Sequence, residues 1–287
     1  MRLVRAELLK IRRRSATYVV LGVGLLLMLL TYIATASIYS FAGIIEFPGA
    51  YGLIGQFAFA LGGLLAIVYS AAFVGVDWNW GVLRNVIARG EGRATYLLAK
   101  AAALAIVLAL AMVIVFASGM VLTYVQGAMV GVPVASPLRG RGLLDLLDWL
   151  VLGFPVLLQR AALGFAVAVV MRSQLAGAVV GIVLFLGESL LTTALTVVTF
   201  TSRGLDPGED FGSFQPLDPQ WFQFLPISVG GNVLNALPGG GGLTGEGGLQ
   251  NLLIRPVPIE VALPAVLVYL VLSIVIAIVA LNRQEIT

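Results

Sequence analysis

The ionisable side chains that could do chemistry in this chain are few. The sequence has 17 lysines and arginines, 14 aspartates and glutamates, and neither cysteine nor histidine. It therefore offers no disulfide, no zinc or haem ligand set and no Cys/His nucleophile. It also lacks the G-x-x-x-x-G-K-[ST] loop that cradles nucleotide phosphates. We expect no catalytic residue, metal site or cofactor on this chain.

One group of charges lies between two long apolar runs, in the stretch VDWNWGVLRNVIARGEGRATYLLAK. The apolar side chains at 82, 83, 86 and 87 share one helical face, and Arg84 and Arg89 project elsewhere. This pattern predicts a short amphipathic helix over residues 77–92, lying at the membrane surface. Binding of lipid headgroups alone is the alternative role for these charges.

Residues at both ends of this stretch fit such a helix. Asp77 is placed to cap the helix or to lie near its positive end, and Trp78 suits the interfacial zone. Gly90 follows Arg89 at the usual left-handed stop position, and Glu91 and Arg93 lead into the next apolar run.

Two further charges, Arg160 and Glu188, lie inside apolar runs. Counted from the turn at Arg172, they stand about 18 Å and about 24 Å along their helices at ~1.5 Å per residue. A charge within a bilayer usually has a partner, so we predict an Arg160–Glu188 ion pair. The lining of a substrate cavity is the alternative.

The elements that position these residues are membrane-spanning helices. The chain is 60% hydrophobic and 11% charged, which is typical of membrane proteins. Six runs reach the roughly 20 apolar residues of a span. They cover about 16–38, 51–76, 95–127, 147–170, 174–199 and 259–281. The first run is too long for a cleaved signal segment, so we expect it to be retained.

The basic residues predict the orientation of these spans. With both termini cytoplasmic, most lysines and arginines fall on the inner side, as the positive-inside rule requires. They are Arg2, Arg5, Lys10, Arg12, Arg13, Arg14, Arg84, Arg89, Arg93, Lys100, Arg172 and Arg283. The outer segments hold Arg139, Arg141, Arg203 and Arg255. We therefore expect residues 1–15 to form a basic amphipathic lead-in at the inner surface, able to bind anionic lipid.

The largest predicted outer segment covers residues 200–258 and is rich in Gly, Pro and acidic residues. Such a composition favours turns. Its central part, QWFQFLPISVGGNVLNAL, is apolar but too short to span. We predict an interfacial or re-entrant segment packed on the helix bundle. A flexible loop is the alternative.

The stretch around residues 76–100 resembles the cytoplasmic elbow between the second and third spans of ABC-2 type permeases. The resemblance rests on an acid followed by G-x-hydrophobic-R, a basic-Gly turn, a later arginine and a lysine opening the third span. The matching residues are Asp77, Gly81, Arg84, Arg89, Gly90, Arg93 and Lys100. The basic lead-in and the layout of six spans also match that family.

The resemblance implies a single permease domain over residues 1–287, with residues 77–92 as a coupling helix. In that family a separate cytosolic ATPase, which binds ATP and Mg²⁺, grips the coupling helix. The implied assembly has two ATPase copies, a second permease copy or homologue, and membrane lipids, without nucleic acid. The implied function is export of a hydrophobic or amphipathic solute, lipid or peptide across the cytoplasmic (inner) membrane.

Two other functions stay open from the sequence. An ATP-independent secondary transporter or channel would have the same composition. A membrane-embedded enzyme or assembly factor acting through the outer segment is less favoured, because no catalytic residues are paired there at a diagnostic spacing.

Overall fold

The computed structural model describes residues 2–36, 46–79, 92–131, 133–134, 136–137, 141–202, 216–240 and 253–284. Within these ranges the chain is helical, and its only β-type pairing is an isolated bridge between Leu217 and Ile254. Six helical segments are long and apolar enough to cross a membrane, which confirms the predicted number of spans. The chain is therefore a multi-pass helical membrane protein.

The chain begins with two helices that meet almost end to end. The basic helix α1, Arg2–Arg13, turns one apolar side inward, where Glu7 and Ile11 are buried. The chain leaves helical geometry at Arg14, and the first span, α2, runs over Ser15–Ala36. Helix α1 packs on the third span, whereas α2 is the least buried of the six spans.

The second span is built from three pieces, namely α3 (Gly49–Gly55), a π-helical turn (Gln56–Leu61) and α4 (Gly62–Asn79). A π-turn inserts an extra residue and frees backbone carbonyls from the regular ladder. The third span, α5, covers Arg93–Val130 and ends at Gly131, whose φ of 77° is left-handed.

The fourth and fifth spans form an antiparallel hairpin. Helix α6, Gly142–Met171, is followed by α7, Gln174–Ser202, with a turn of two residues between them. Arg172 has a left-handed φ of 51°, and the Ser173 hydroxyl accepts a hydrogen bond from the Ala176 N–H at 3.3 Å, which caps α7. The last span, α9, covers Ile259–Arg283.

The α3–α4 span and α6 are the most buried spans and form the centre of the bundle. Helix α4 packs on α6 and α7, α9 packs on the other side of α6, and α2 packs on α5. Glycines let backbones touch inside this centre. A Cβ added at Gly164 would lie 2.3 Å from the Ile67 carbonyl oxygen.

One end of the bundle carries α1, the end of α4, the start of α5, the α6–α7 turn and the end of α9, and we call it the termini end. At the opposite end, a short 3-10 turn over Trp221–Phe224 leads into α8, Pro226–Asn235. Helix α8 is largely buried against α6, α7 and α9. The apolar segment within residues 200–258 is thus packed on the bundle, and its entry into a membrane stays a prediction.

Candidate functional site

Four buried side chains at the termini end form a polar group that we call the anchor cluster: Glu7, Asp77, Tyr96 and Lys100. They come from α1, the last turn of α4 and the first turns of α5. Each is less than 4% exposed, so the group is enclosed by protein.

Lys100 is the centre of the anchor cluster. Its ammonium lies 2.5 Å from Asp77 Oδ2, 3.7 Å from Glu7 Oε2 and 2.9 Å from the Phe73 carbonyl oxygen, to which it donates. The Phe73 ring covers it at 4.2 Å from the ring centroid. The three N–H groups of the ammonium are thus directed at acceptors or counter-charges.

The carboxylates of the anchor cluster have further partners. The Tyr96 hydroxyl donates to Asp77, and Lys10, half-exposed on α1, pairs with Glu7. Two carboxylates and two ammonium groups therefore balance in charge. A buried charge is tolerated only when it is paired in this way, so α1, α4 and α5 are held in one relative position.

Arg93 forms a second link, just after the α4–α5 connection. Its Nη1 donates to the carbonyl oxygens of Leu281, Asn282 and Gln284 at 3.2, 3.3 and 2.9 Å. Leu281 and Asn282 belong to the last turn of α9, and Gln284 directly follows it; the Leu281 carbonyl also accepts the Gln284 N–H at 3.3 Å. The negative end of the helix dipole favours a cation at this position. The Gln284 side chain in turn donates to the Val169 carbonyl of α6 at 3.0 Å.

These contacts place the predicted coupling residues only in part. Asp77 and Trp78 lie in the last turn of α4, so they do not begin a separate helix, and Asp77 is paired with Lys100 rather than capping a helix start. Gly92 is the N-cap of α5 and Arg93 its first residue. Gly81, Arg84, Arg89, Gly90 and Glu91 lie outside the described residues.

Arg160 and Glu188 meet at α8, in what we call the midspan cluster. Arg160 is fully buried, donates to the Phe59 carbonyl in the π-turn at 2.6 Å, and donates to the Ile227 carbonyl at 3.4 Å. Glu188 Oε1 accepts the N–H groups of Ile227 and Ser228 at 2.6 and 2.7 Å. Both charges therefore bind the peptide groups of one residue, and their direct ion pair stays a prediction.

Every N–H group in the first turn of α8 has a hydrogen-bond acceptor. Pro226, the first residue of the helix, has no N–H, and the next two N–H groups bind Glu188. The fourth, of Val229, donates to the Leu225 carbonyl at 2.9 Å. A carboxylate at a helix N-terminus is also favoured by the helix dipole.

Sequence reasoning did not identify Glu7 and Tyr96 as partners of the predicted elbow. Glu7 is the only acidic residue among the first 45, and that isolation within a basic segment was the available signal. Both clusters hold helices together through buried charges and hydrogen bonds. Within the described ranges, no three His, Cys, Asp or Glu side chains lie where they could hold a metal ion.

A known protein family matches a large part of the chain. A family model described as ABC-2 family transporter protein matches residues 3–188. The match covers well over half of the chain, including all residues of the anchor cluster. The chain belongs to the ABC-2 transporter family. It is a membrane transport component that is not itself catalytic, and its family implies association with an ABC ATPase. No curated protein matches the chain.

Proposed function

We propose that the chain is the permease subunit of an ATP-driven exporter. It would move a hydrophobic or amphipathic solute, lipid or peptide across the cytoplasmic membrane. Energy would come from ATP hydrolysis on a separate cytosolic subunit that pushes on residues 80–91. Two ATPase copies and a second permease copy would complete the complex.

The observation that carries this proposal is the fixation of both ends of that segment. Asp77, three residues before it, is paired with Lys100 in the anchor cluster, and Arg93, two residues after it, holds the last turn of α9. A force on the segment would therefore act on α1, α4, α5 and α9 together. A loop that only binds lipid headgroups has no need of such links to four helices.

Co-purification of the ATPase tests the role of the segment. The double variant Arg84→Glu/Arg89→Glu is expected to lose a co-purifying P-loop ATPase, because the charge reversal repels what the arginines bind. The matched control, Arg139→Glu/Arg141→Glu, reverses two arginines predicted to lie on the other side and is expected to retain it. Full retention by the first variant would contradict the proposal.

Labelling of single cysteines tests the orientation, and the natural absence of cysteine makes every introduced one unique. A membrane-impermeant maleimide added to intact cells is expected to label Asp210→Cys but not Asn85→Cys. Permeabilised cells should show labelling at both. Labelling of Asn85→Cys in intact cells would place the segment outside and contradict the proposed orientation.

A transport assay tests the energy source. Transport that persists after ATP depletion would favour a secondary transporter.

A further inference from the structure

A cavity of about 400 Å³ opens between the first three spans, apart from both clusters. Its wall combines residues of α1, α2, the second span and α5. The volume lies within the range of about 300–1,000 Å³ that is usual for small-molecule sites. Most of the wall is apolar, with side chains such as Leu21, Leu65 and Val115.

The cavity is elongated along the second span. On the second span its lining runs from Tyr69 to Phe57, which is about 18 Å at ~1.5 Å per residue. One leaflet of the hydrocarbon core is about 15 Å thick, half of the usual ~30 Å. The cavity thus has the length of an acyl chain that extends from the surface to the bilayer centre.

The polar side chains of the lining lie at the termini end, where α1 meets α2. They are Arg12, Thr17, Tyr18 and Tyr69. The Tyr18 hydroxyl donates to the Arg12 carbonyl at 2.9 Å, and the Thr17 and Tyr69 hydroxyls lie 2.8 Å apart. Arg12 belongs to a helix that carries five of the six arginines and lysines found before the first span.

The mouth of the cavity faces the outside of the bundle. Tyr18 on α2 and Leu110 on α5 line it and are 59% and 60% exposed, so the gap between these two helices opens sideways. A lipid can therefore enter from the bilayer without passing through the protein.

We propose that this cavity is a binding site for an anionic phospholipid, with one acyl chain between α2 and α5 and its phosphate at Arg12. The apolar wall of the cavity fits the acyl chain, and the positive charge of Arg12 at the termini end fits the phosphate. The site is independent of the proposed ATP coupling.

Native mass spectrometry of the purified full-length protein tests this proposal. After reconstitution in equimolar phosphatidylglycerol and phosphatidylcholine and re-extraction, the wild type is expected to retain phosphatidylglycerol preferentially. Gly24→Leu should lower that retention on the order of tenfold or more, because the leucine side chain occupies the cavity. The Cβ has room, since its nearest neighbour, Leu65 Cδ1, is 3.6 Å away. Arg12→Gln should lower retention about fivefold.

Matched variants separate the cavity from general effects. Gly22→Leu adds the same side chain to α2 where nothing lies within 4 Å, and Arg5→Gln removes one charge from the same helix, so both should retain lipid as the wild type does. If Gly24→Leu does not fold, Ala111→Leu fills the same cavity from α5 and replaces it in the test. Equal retention of the two lipids by the wild type, or unchanged retention in the folded filled variant, would overturn the proposal.

Discussion

Lys100 shows how a single residue ties three elements together at the termini end. A lysine near the edge of a span usually extends its ammonium towards water. Here the ammonium is fully buried between the carboxylates of Glu7 and Asp77 because α1 folds over it. Its position at the start of the third span was readable from the sequence, but its burial depends on the docking of α1, which no local pattern encodes.

Replacement of Lys100 is therefore expected to be costly. Lys100→Met leaves two buried carboxylates with reduced compensation, and we expect a loss of about 3–5 kcal/mol in unfolding free energy. Arg5→Met is the control, since Arg5 lies on the exposed side of α1, outside the anchor cluster, and its loss should cost no more than about 0.5 kcal/mol. Thermal unfolding of both variants in the same detergent measures the difference. Equal midpoints would mean that Lys100 is not buried as described.

Among the elements, α9 depends at its end on one residue of another helix. Arg93→Gln removes the donor to three carbonyls at the end of α9, and we expect the last turn of this helix to lose about 1–2 kcal/mol of local stability. Hydrogen exchange of amides 278–284 is expected to rise several-fold. Arg283→Gln, on the exposed side of the same turn, should leave exchange nearly unchanged. Faster exchange in both would indicate a general charge effect instead.

Helix α8 depends on the carboxylate of Glu188 in a similar way. Glu188→Leu leaves the N–H groups of Ile227 and Ser228 without their acceptor, and we expect a cost of about 2–4 kcal/mol. Glu188→Gln keeps one acceptor oxygen and should cost only about 1 kcal/mol. Limited proteolysis within residues 226–235, together with thermal unfolding, measures the release of α8. Equal effects of the two variants would mean that charge, rather than hydrogen bonding, holds the helix.

The elements themselves could largely be predicted from the sequence. Each span is a long apolar run, and length and hydropathy alone give its position to within a few residues. Hydropathy does not reveal the π-turn at Gln56–Leu61, because that turn is stabilised from another helix by Arg160. Hydropathy likewise does not reveal that Asp77 lies in the last turn of α4 and pairs with Lys100, because Lys100 is 23 positions away.

For the whole molecule, the sequence shows which residues are small but not which helices they join. Glycines in the fourth and fifth spans could equally have served an interface with a second copy. In the structure, Gly164 and Gly177 are in close contact with other helices of the same chain, whereas a Cβ added at Gly187 would meet no other part of the described structure within 4 Å. The first two therefore serve the packing of the bundle.

This difference predicts opposite outcomes for two substitutions on α7. A Cβ at Gly177 would lie 2.5 Å from Ala168 Cβ and 2.6 Å from Ala168 Cα, so Gly177→Leu forces α6 and α7 apart. We expect the free energy of unfolding to fall by at least about 1–3 kcal/mol, the usual cost of overpacking. We also expect a lower fraction of monodisperse protein. Gly187→Leu adds the same side chain on the open side of α7. Its free energy of unfolding should stay within about 0.5 kcal/mol of the wild-type value. Size-exclusion chromatography with thermal unfolding distinguishes the two. If Gly187→Leu were as damaging as Gly177→Leu, the open face of α7 would have to be covered in the assembled protein, and the single chain would not account for the packing of this helix.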